Sequence, residues 1–286
     1  MKTMVQHLAK DYDIDDGVYF EKDDLKGPRG GDRTAADIKE MVRKAVHDDK
    51  FSVPPEVRNN CVRVYYNEGF HVDIPAYRRT WSDLTQSYSY ELAGTAWKAS
   101  DPRAVTRWFE GEVEDQSPNM SRDSQLRRIV RLLKAFARSR ESWRARIATG
   151  FMITKLASEC YHPEDGREDR SLRETMRAIK SRLDTYLEVR HPVLSEWLTS
   201  GPDDGRTKFL REKLEWALGE LEVLDGNCTH SEALKAWDKV FNTTYFTDND
   251  TTGTKASVTS AAILKATTAA AAASQAVDKR GGGRYG

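Results

Sequence analysis

The chain has 286 residues, enough for one or two domains with ample core. Its 45 basic and 45 acidic residues cancel, so no bulk basic field draws in long nucleic acid, and a small polyanionic substrate suits the balance better. Cys61, Cys160 and Cys228 are widely spaced without ligand pairing, which fits a reducing cytoplasm; no signal peptide and no membrane-spanning apolar run is read.

The first predicted element is a strand over 11–20, carried by Ile14, Val18, Tyr19 and Phe20, with a bend or close approach at Gly17. Alternation puts Asp11, Asp13 and Asp15 on one face and Ile14 on the other. Two such neighbouring carboxylates repel by about 4 kcal/mol at ~4 Å and an effective dielectric near 20, so the pattern calls for a cation. A calcium loop does not fit, because counting from Asp11 puts Asp16 at the turn glycine and Lys22 at the bidentate glutamate. A solvated acidic strand end is the plainer alternative.

A polar loop follows over 21–33, and then Thr34 with Asp37 forms a capping box for a helix with the apolar stripe Ile38, Met41, Val42 and Ala45. That helix is expected on the back of a sheet. Two strands come next, Cys61–Tyr66 and Phe70–Pro75, joined at Asn67, Glu68 and Gly69. Phe70, Val72 and Ile74 share one face of the second strand, and Asp73 lies on the other beside His71. Asp73 is a natural third ligand for the first strand's carboxylates. Three carboxylates on adjacent strands would hold two magnesium ions, with open positions for substrate phosphates.

Residues 77–86 read as irregular, and 88–97 as an aromatic-rich stretch in which Tyr88 or Tyr90 either packs or stacks on a base. Asp101 before Pro102 starts a helix with Val105, Trp108, Phe109 and Val113 inward. A helix over about 121–140 has Leu126, Ile129, Val130, Leu133 and Phe136 on one side and a cationic stripe, Arg127, Arg131 and Lys134, on another. Residues 138–146 read as an arginine-rich polar linker, and Ile147 opens a buried helix toward Cys160. Leucine-rich helical patterns then run from about Ser171 to Phe241, punctuated at Pro192, Gly201-Pro202 and Gly226. His162, His191 and His230 lack the spacing of a zinc site. Beyond Thr247 the Thr, Ala, Ser and Gly composition predicts a disordered tail.

Asp13-Ile14-Asp15-Asp16-Gly17-Val18-Tyr19 followed by His71-Val72-Asp73-Ile74-Pro75-Ala76-Tyr77 closely resembles the DncV-type cyclic dinucleotide synthases, bacterial relatives of cGAS. The resemblance continues through Trp97, Ser100-Asp101-Pro102, Trp108-Phe109 and Arg131 to Phe136, and covers roughly residues 3–160. It implies an α+β fold: a polymerase-β-like nucleotidyltransferase sheet (1–120), a helical lobe (121–246) with a nucleotide cleft beside the sheet, and the flexible tail (247–286).

The resemblance also implies Asp13, Asp15 and Asp73 as catalytic metal ligands for magnesium, with manganese as the alternative ion. It gives Lys134, and by position Thr149 and Thr3, to the donor triphosphate, although a helix cap explains Thr149 equally well. ATP, GTP or both would be joined with release of pyrophosphate into a cyclic dinucleotide or oligonucleotide, such as cyclic GMP-AMP, that signals in anti-phage defence. The family's Gly-Ser turn and preceding helix do not stand before the first strand, which implies weak triphosphate binding by this polypeptide. The alternatives are a nucleotidyltransferase with a linear product and a catalytically defective paralogue acting as a binding partner. Arg284-Tyr285-Gly286 would suit a ubiquitin-like conjugation machinery acting on Gly286, with an ordinary tail as the alternative.

Overall fold

The computed structural model describes residues 3, 13–66, 70–118 and 124–250; the Asp13 side chain, Asp11, the turn at residues 67–69 and the chain from 251 on, with Gly286, lie outside this description. Contacts divide the protein into two units. One holds the described residues up to Val105 except Thr3, and the other holds Thr3 and those from Thr106 on.

In the first unit the aspartate stretch forms two short strands, β1 (Asp13–Asp15) and β2 (Val18–Glu21), where one had been expected. After helix α1 (Ala35–Ala45) come β3 (Glu56–Val57), β4 (Val62–Tyr65), β5 (His71–Ile74), β6 (Ala76–Ser82), β7 (Ser87–Ala93) and β8 (Trp97–Ala99). They build two four-stranded sheets, ordered β1-β5-β4-β3 and β2-β6-β7-β8. The β1–β2 and β5–β6 segments run parallel through both sheets and break at the same level, at Asp16-Gly17 and Pro75. Pro75 has no N–H to give a ladder, and its carbonyl accepts from Val18 N at 3.0 Å where the chain passes from one sheet to the other. A Cβ on Gly17 would stand 3.2 Å from the Tyr77 ring, which stacks on Tyr19 at 4.9 Å between centroids. The bend therefore leaves little room for a Cβ at Gly17.

Much of the stretch 77–86, expected to be irregular, is strand: β6 runs to Ser82 and β7 starts at Ser87. Each of the two arginines of β6 finds an acid on a neighbouring strand: Arg78 forks onto Glu91, and Arg79 pairs with Glu21. On the same face as Arg79, Trp81 packs edge-on to Tyr88 while Tyr90 meets Tyr19 edge-on, so packing accounts for both tyrosines.

Helix α1 starts in the expected capping box, Thr34 with Asp37, and lies against Val62, Ile74, Ala76 and Ala93 as a back wall. Lys39 is also buried there. Its ammonium donates to the carbonyls of Arg58, Asn59 and Gly94 at 3.1, 2.8 and 2.8 Å, tying the β3–β4 loop to α1. Lys39→Met keeps the volume but orphans three carbonyls, so a loss of about 2–3 kcal/mol is expected in urea denaturation. A change below about 0.5 kcal/mol would show that water replaces the lysine.

The helices that follow are α2 (Pro102–Gln116), α3 (Gln125–Arg138), α4 (Gly150–Cys160), α5 (Glu168–Thr185), α6 (Gly205–Glu220), α7 (His230–Phe241) and the short α8 (Tyr245–Asp248). Asp101 Oδ1 accepts from the N–H groups of Arg103 and Ala104 and caps α2 ahead of Pro102 as expected. Helix α3 is the axis of the second unit, packing on α4, α5 and α7 with Leu126, Ile129, Leu132 and Phe136 fully buried. The arginine-rich linker is less polar than its composition. Trp143 is in the core, and Arg140 lies between the Trp143 and Trp216 rings at 4.5 and 4.6 Å while donating to the carbonyls of Lys239 and Val240. Asp238 caps α8 through the N–H groups of Phe246 and Thr247, holding the chain to the core through the point where the tail was expected to begin. No helix among the described residues is long and apolar enough to cross a membrane.

Candidate functional site

The first sheet places charge in transverse rows. Asp15 on β1 is in register with Asp73 on β5, Asp73 with Arg63 on β4, and Arg63 with Glu56 on β3. Paired residues share a face, so one row across four strands reads acid, acid, base, acid. Two residues earlier on β1, Asp13 pairs with His71, which pairs with Tyr65. The opposite face carries Ile14, Val72 and Val64, in register with one another. The predicted alternation of Asp13 and Asp15 against Ile14 thus becomes a polar face and an apolar face.

Two of the three expected metal ligands are therefore side by side on adjacent parallel strands, and Asp13 belongs to the same face by backbone position. Asp15 is exposed and Asp73 is 9% exposed. Arg63 grips both oxygens of Asp73, Nε to Oδ1 at 2.7 Å and Nη2 to Oδ2 at 2.8 Å. These bonds hold the Asp73 carboxyl below its ordinary range against the opposing pull of burial, with help from the Cys61 thiol. Burial foremost, then Asp73, pushes Cys61 up to about 11, so it stays a thiol and a donor at neutral pH. The backbone N–H of Asp16 donates to the Asp73 carbonyl at 2.9 Å and locks the two strands where the acids meet. Arg63, Asp73 and Cys61 also line a cavity of about 560 Å³ with Glu56, Arg58 and Asn60.

The donor set is all carboxylate oxygen, the class that magnesium and manganese take. Asp73 is held ionised, and Asp15 stands beside it at one strand spacing. Among the described residues no group of three such ligands stands together, but the Asp15 and Asp73 carboxylates are of the type a hard divalent cation takes.

The second unit brings the three residues assigned to the donor triphosphate into one neighbourhood. Lys134 on α3 donates to Thr3 Oγ1 at 2.8 Å, and its stem lies 3.5 Å from where a Cβ on Gly150 would stand at the start of α4. Burial, and less so Arg138, pushes Lys134 down to about 8. Thr149 precedes Gly150 and caps α4, accepting from Met152 N at 3.3 Å. It also lines a cavity of about 610 Å³ with Arg146, Met152, Leu198, Ser200 and Arg206. Of the other cations of the α3 stripe, Arg127 lies over the Phe109 ring at 5.6 Å.

The residue that the sequence reading missed is Arg63. A signal for it existed. Arg63 and Asp73 stand five residues either side of Glu68, the centre of the turn, so the hairpin register alone pairs them.

Residues 1–77 match the family model described as the nucleotidyltransferase domain of DncV-like cyclic GMP-AMP synthases. A cyclic GMP-AMP synthase of Escherichia albertii is 28% identical over 244 residues, which is 82% of this chain and 50% of that protein. The chain thus spans about half the length of the curated relative it matches. Among solved structures, Escherichia coli DncV in its 3′-deoxy GTP bound form has a TM-score of 0.58 at 19% identity, over 84% of this chain and 66% of that one. Vibrio cholerae DncV cyclic AMP-GMP synthase with nonhydrolyzable GTP has a TM-score of 0.61 at 17% identity, over 84% and 65%. The Bradyrhizobium diazoefficiens CD-NTase CdnG with GTP has a TM-score of 0.58 at 17% identity, over 81% and 77%. At these identities the structural likeness is one of fold. The match of residues 1–77 to that family model agrees with the resemblance read from the two aspartate motifs.

Proposed function

We propose that this relative of the DncV-like synthases is a metal-dependent nucleotidyltransferase that joins nucleoside triphosphates into a cyclic dinucleotide or oligonucleotide. The observation that carries the reading is the register of Asp15 with Asp73, two acids facing each other across a parallel ladder inside the stretch that matches the family domain. A fold keeps such a pair when a cation is to be held there.

Asp13, Asp15 and Asp73 would hold the ions, and Thr3, Lys134 and Thr149 the donor phosphates. Divalent ions bound there would lower the charge on the reacting phosphate and on the departing pyrophosphate. Each turn of the reaction forms a bond from a ribose hydroxyl oxygen to the α-phosphorus and breaks the bond to the β-phosphate oxygen, releasing pyrophosphate. The hydroxyl proton leaves to solvent. A second such step closes the ring. Lys134 serves by position and charge alone, and the chain needs no covalent intermediate. ATP and GTP are the proposed substrates because solved relatives of the same fold are described with GTP and with ATP. Signalling in anti-phage defence is proposed for the product on the resemblance alone.

The test is incubation with ATP, GTP or both, in magnesium or manganese, followed by phosphatase. A phosphatase-resistant product that appears with released pyrophosphate is the expected result. A phosphatase-sensitive product would assign the chain to linear synthesis. Consumption of nucleotide that persists at full rate in Asp15→Asn would remove the proposed site.

A further inference from the structure

Granting that Asp73 is a metal ligand, its carboxylate is already taken. Both oxygens accept from Arg63, at 2.7 and 2.8 Å, and the two side chains are only 22% and 12% exposed. A divalent cation at Asp73 needs a lone pair directed at it, and a fork on both oxygens competes for that space. Arg63 sits in the same transverse row as Asp15, Asp73 and Glu56, the one cation among three acids.

We infer that Arg63 is the site's built-in counter-cation: it neutralises Asp73 in the metal-free protein and must yield at least one oxygen before an ion can bind there. Two consequences follow from charge balance. Without Arg63 the row would hold uncompensated carboxylates whose mutual repulsion favours any cation that arrives. With Arg63 in place an ion alone gains little, since it replaces one cation by another. A metal ion that arrives with a triphosphate brings further ligands and neutralises negative charge on both sides, so loading is biased toward the ion–nucleotide complex. Arg63 is in this sense a positioning residue for Asp73 and a brake on idle metal binding.

The cost of moving the guanidinium is moderated by where it stands. It lies on the wall of the 560 Å³ polar cavity beside Arg58, Asn59 and Asn60, where side-chain oxygens and water replace the lost contacts. Arg58 is itself engaged by Glu56 at 3.2 Å and by Tyr65, so the neighbouring positive charge is already balanced.

The experiment is titration of manganese alone into the metal-free full chain, read by calorimetry and by the loss of the free-ion electron spin resonance signal. Arg63→Gln is expected to bind manganese about tenfold more tightly than wild type, and Arg63→Lys, which cannot fork, to fall between them. Nucleotide-free affinity that is unchanged or weaker in both variants would overturn the inference. If Arg63→Gln does not fold, Arg63→Lys decides alone by the same criterion. Asp15→Asn separates this result from the underlying reading: manganese binding that is indifferent to Asp15 sinks the metal site itself, whereas binding that needs Asp15 but ignores Arg63 sinks only the counter-cation.

Discussion

Asp15→Asn is expected to lower nucleotide turnover by at least about 10³-fold without lowering the stability of the metal-free protein. The loss corresponds to about 4 kcal/mol of transition-state stabilisation, the scale of charge compensation a metal ligand supports. Stability should change little because Asp15 is exposed and lies in register with another acid. Asp73→Asn should give the same kinetic loss together with a structural one. It leaves the Arg63 guanidinium facing an amide in a mostly buried place, at a cost of about 2–4 kcal/mol. The double variant Arg63→Gln with Asp73→Asn should recover most of that stability and none of the turnover, because no charge is left unpaired. Turnover and urea denaturation in chelator, measured on the four proteins, check both halves. Turnover near wild type in Asp15→Asn would dismiss Asp15 as a ligand, and equal stability of Asp15→Asn and Asp73→Asn would dismiss the ion pair.

The two single variants part company because of a feature that a one-dimensional reading handles poorly. Motifs whose physics is local were legible: the Thr34–Asp37 capping box, the Asp101-Pro102 helix start, and the alternation of Asp13 and Asp15 against Ile14. Features that depend on a partner strand were not. The stretch 77–86 read as irregular, yet Arg78 and Arg79 in it are each matched by an acid that only strand pairing supplies. The single strand expected over 11–20 divides between two sheets because the neighbouring segment breaks at Pro75, some sixty residues away. Trp143 sat among arginines and read as linker, whereas it is buried with the half-buried Arg140 stacked on its ring. Thr3, Lys134 and the start of α4 were singled out separately by resemblance; their proximity is a property of the fold.

Lys134 is expected to weaken the fold that contains it, and Lys134→Met to stabilise the protein at neutral pH while damaging nucleotide binding. Burial holds this ammonium near 8, against an ordinary lysine value of 10.5. In the window between those values the unfolded chain keeps a proton that the folded lysine has shed, so stability rises with pH across it. Below about 8 both states are protonated, and the whole cost of burying the charge, about 3 kcal/mol, stands. Thr3 offsets part of it through its hydroxyl and carbonyl, at 2.8 and 3.4 Å from the ammonium. Methionine fills similar space without the charge, so a gain of about 2 kcal/mol is expected at pH 7, fading as pH approaches 10.5. On the proposed function, a bound triphosphate would return that energy by pairing with the cation. Wild-type affinity for a nonhydrolysable nucleotide should therefore fall as pH rises past about 8, where the ammonium is lost. Lys134→Met should bind at least about tenfold more weakly at pH 7 and show none of that decline. Calorimetry at pH 7 and 9 on both proteins, with denaturation at the same values, separates the possibilities. A destabilised variant with unchanged affinity would make Lys134 a packing residue and return the donor-phosphate role to other side chains.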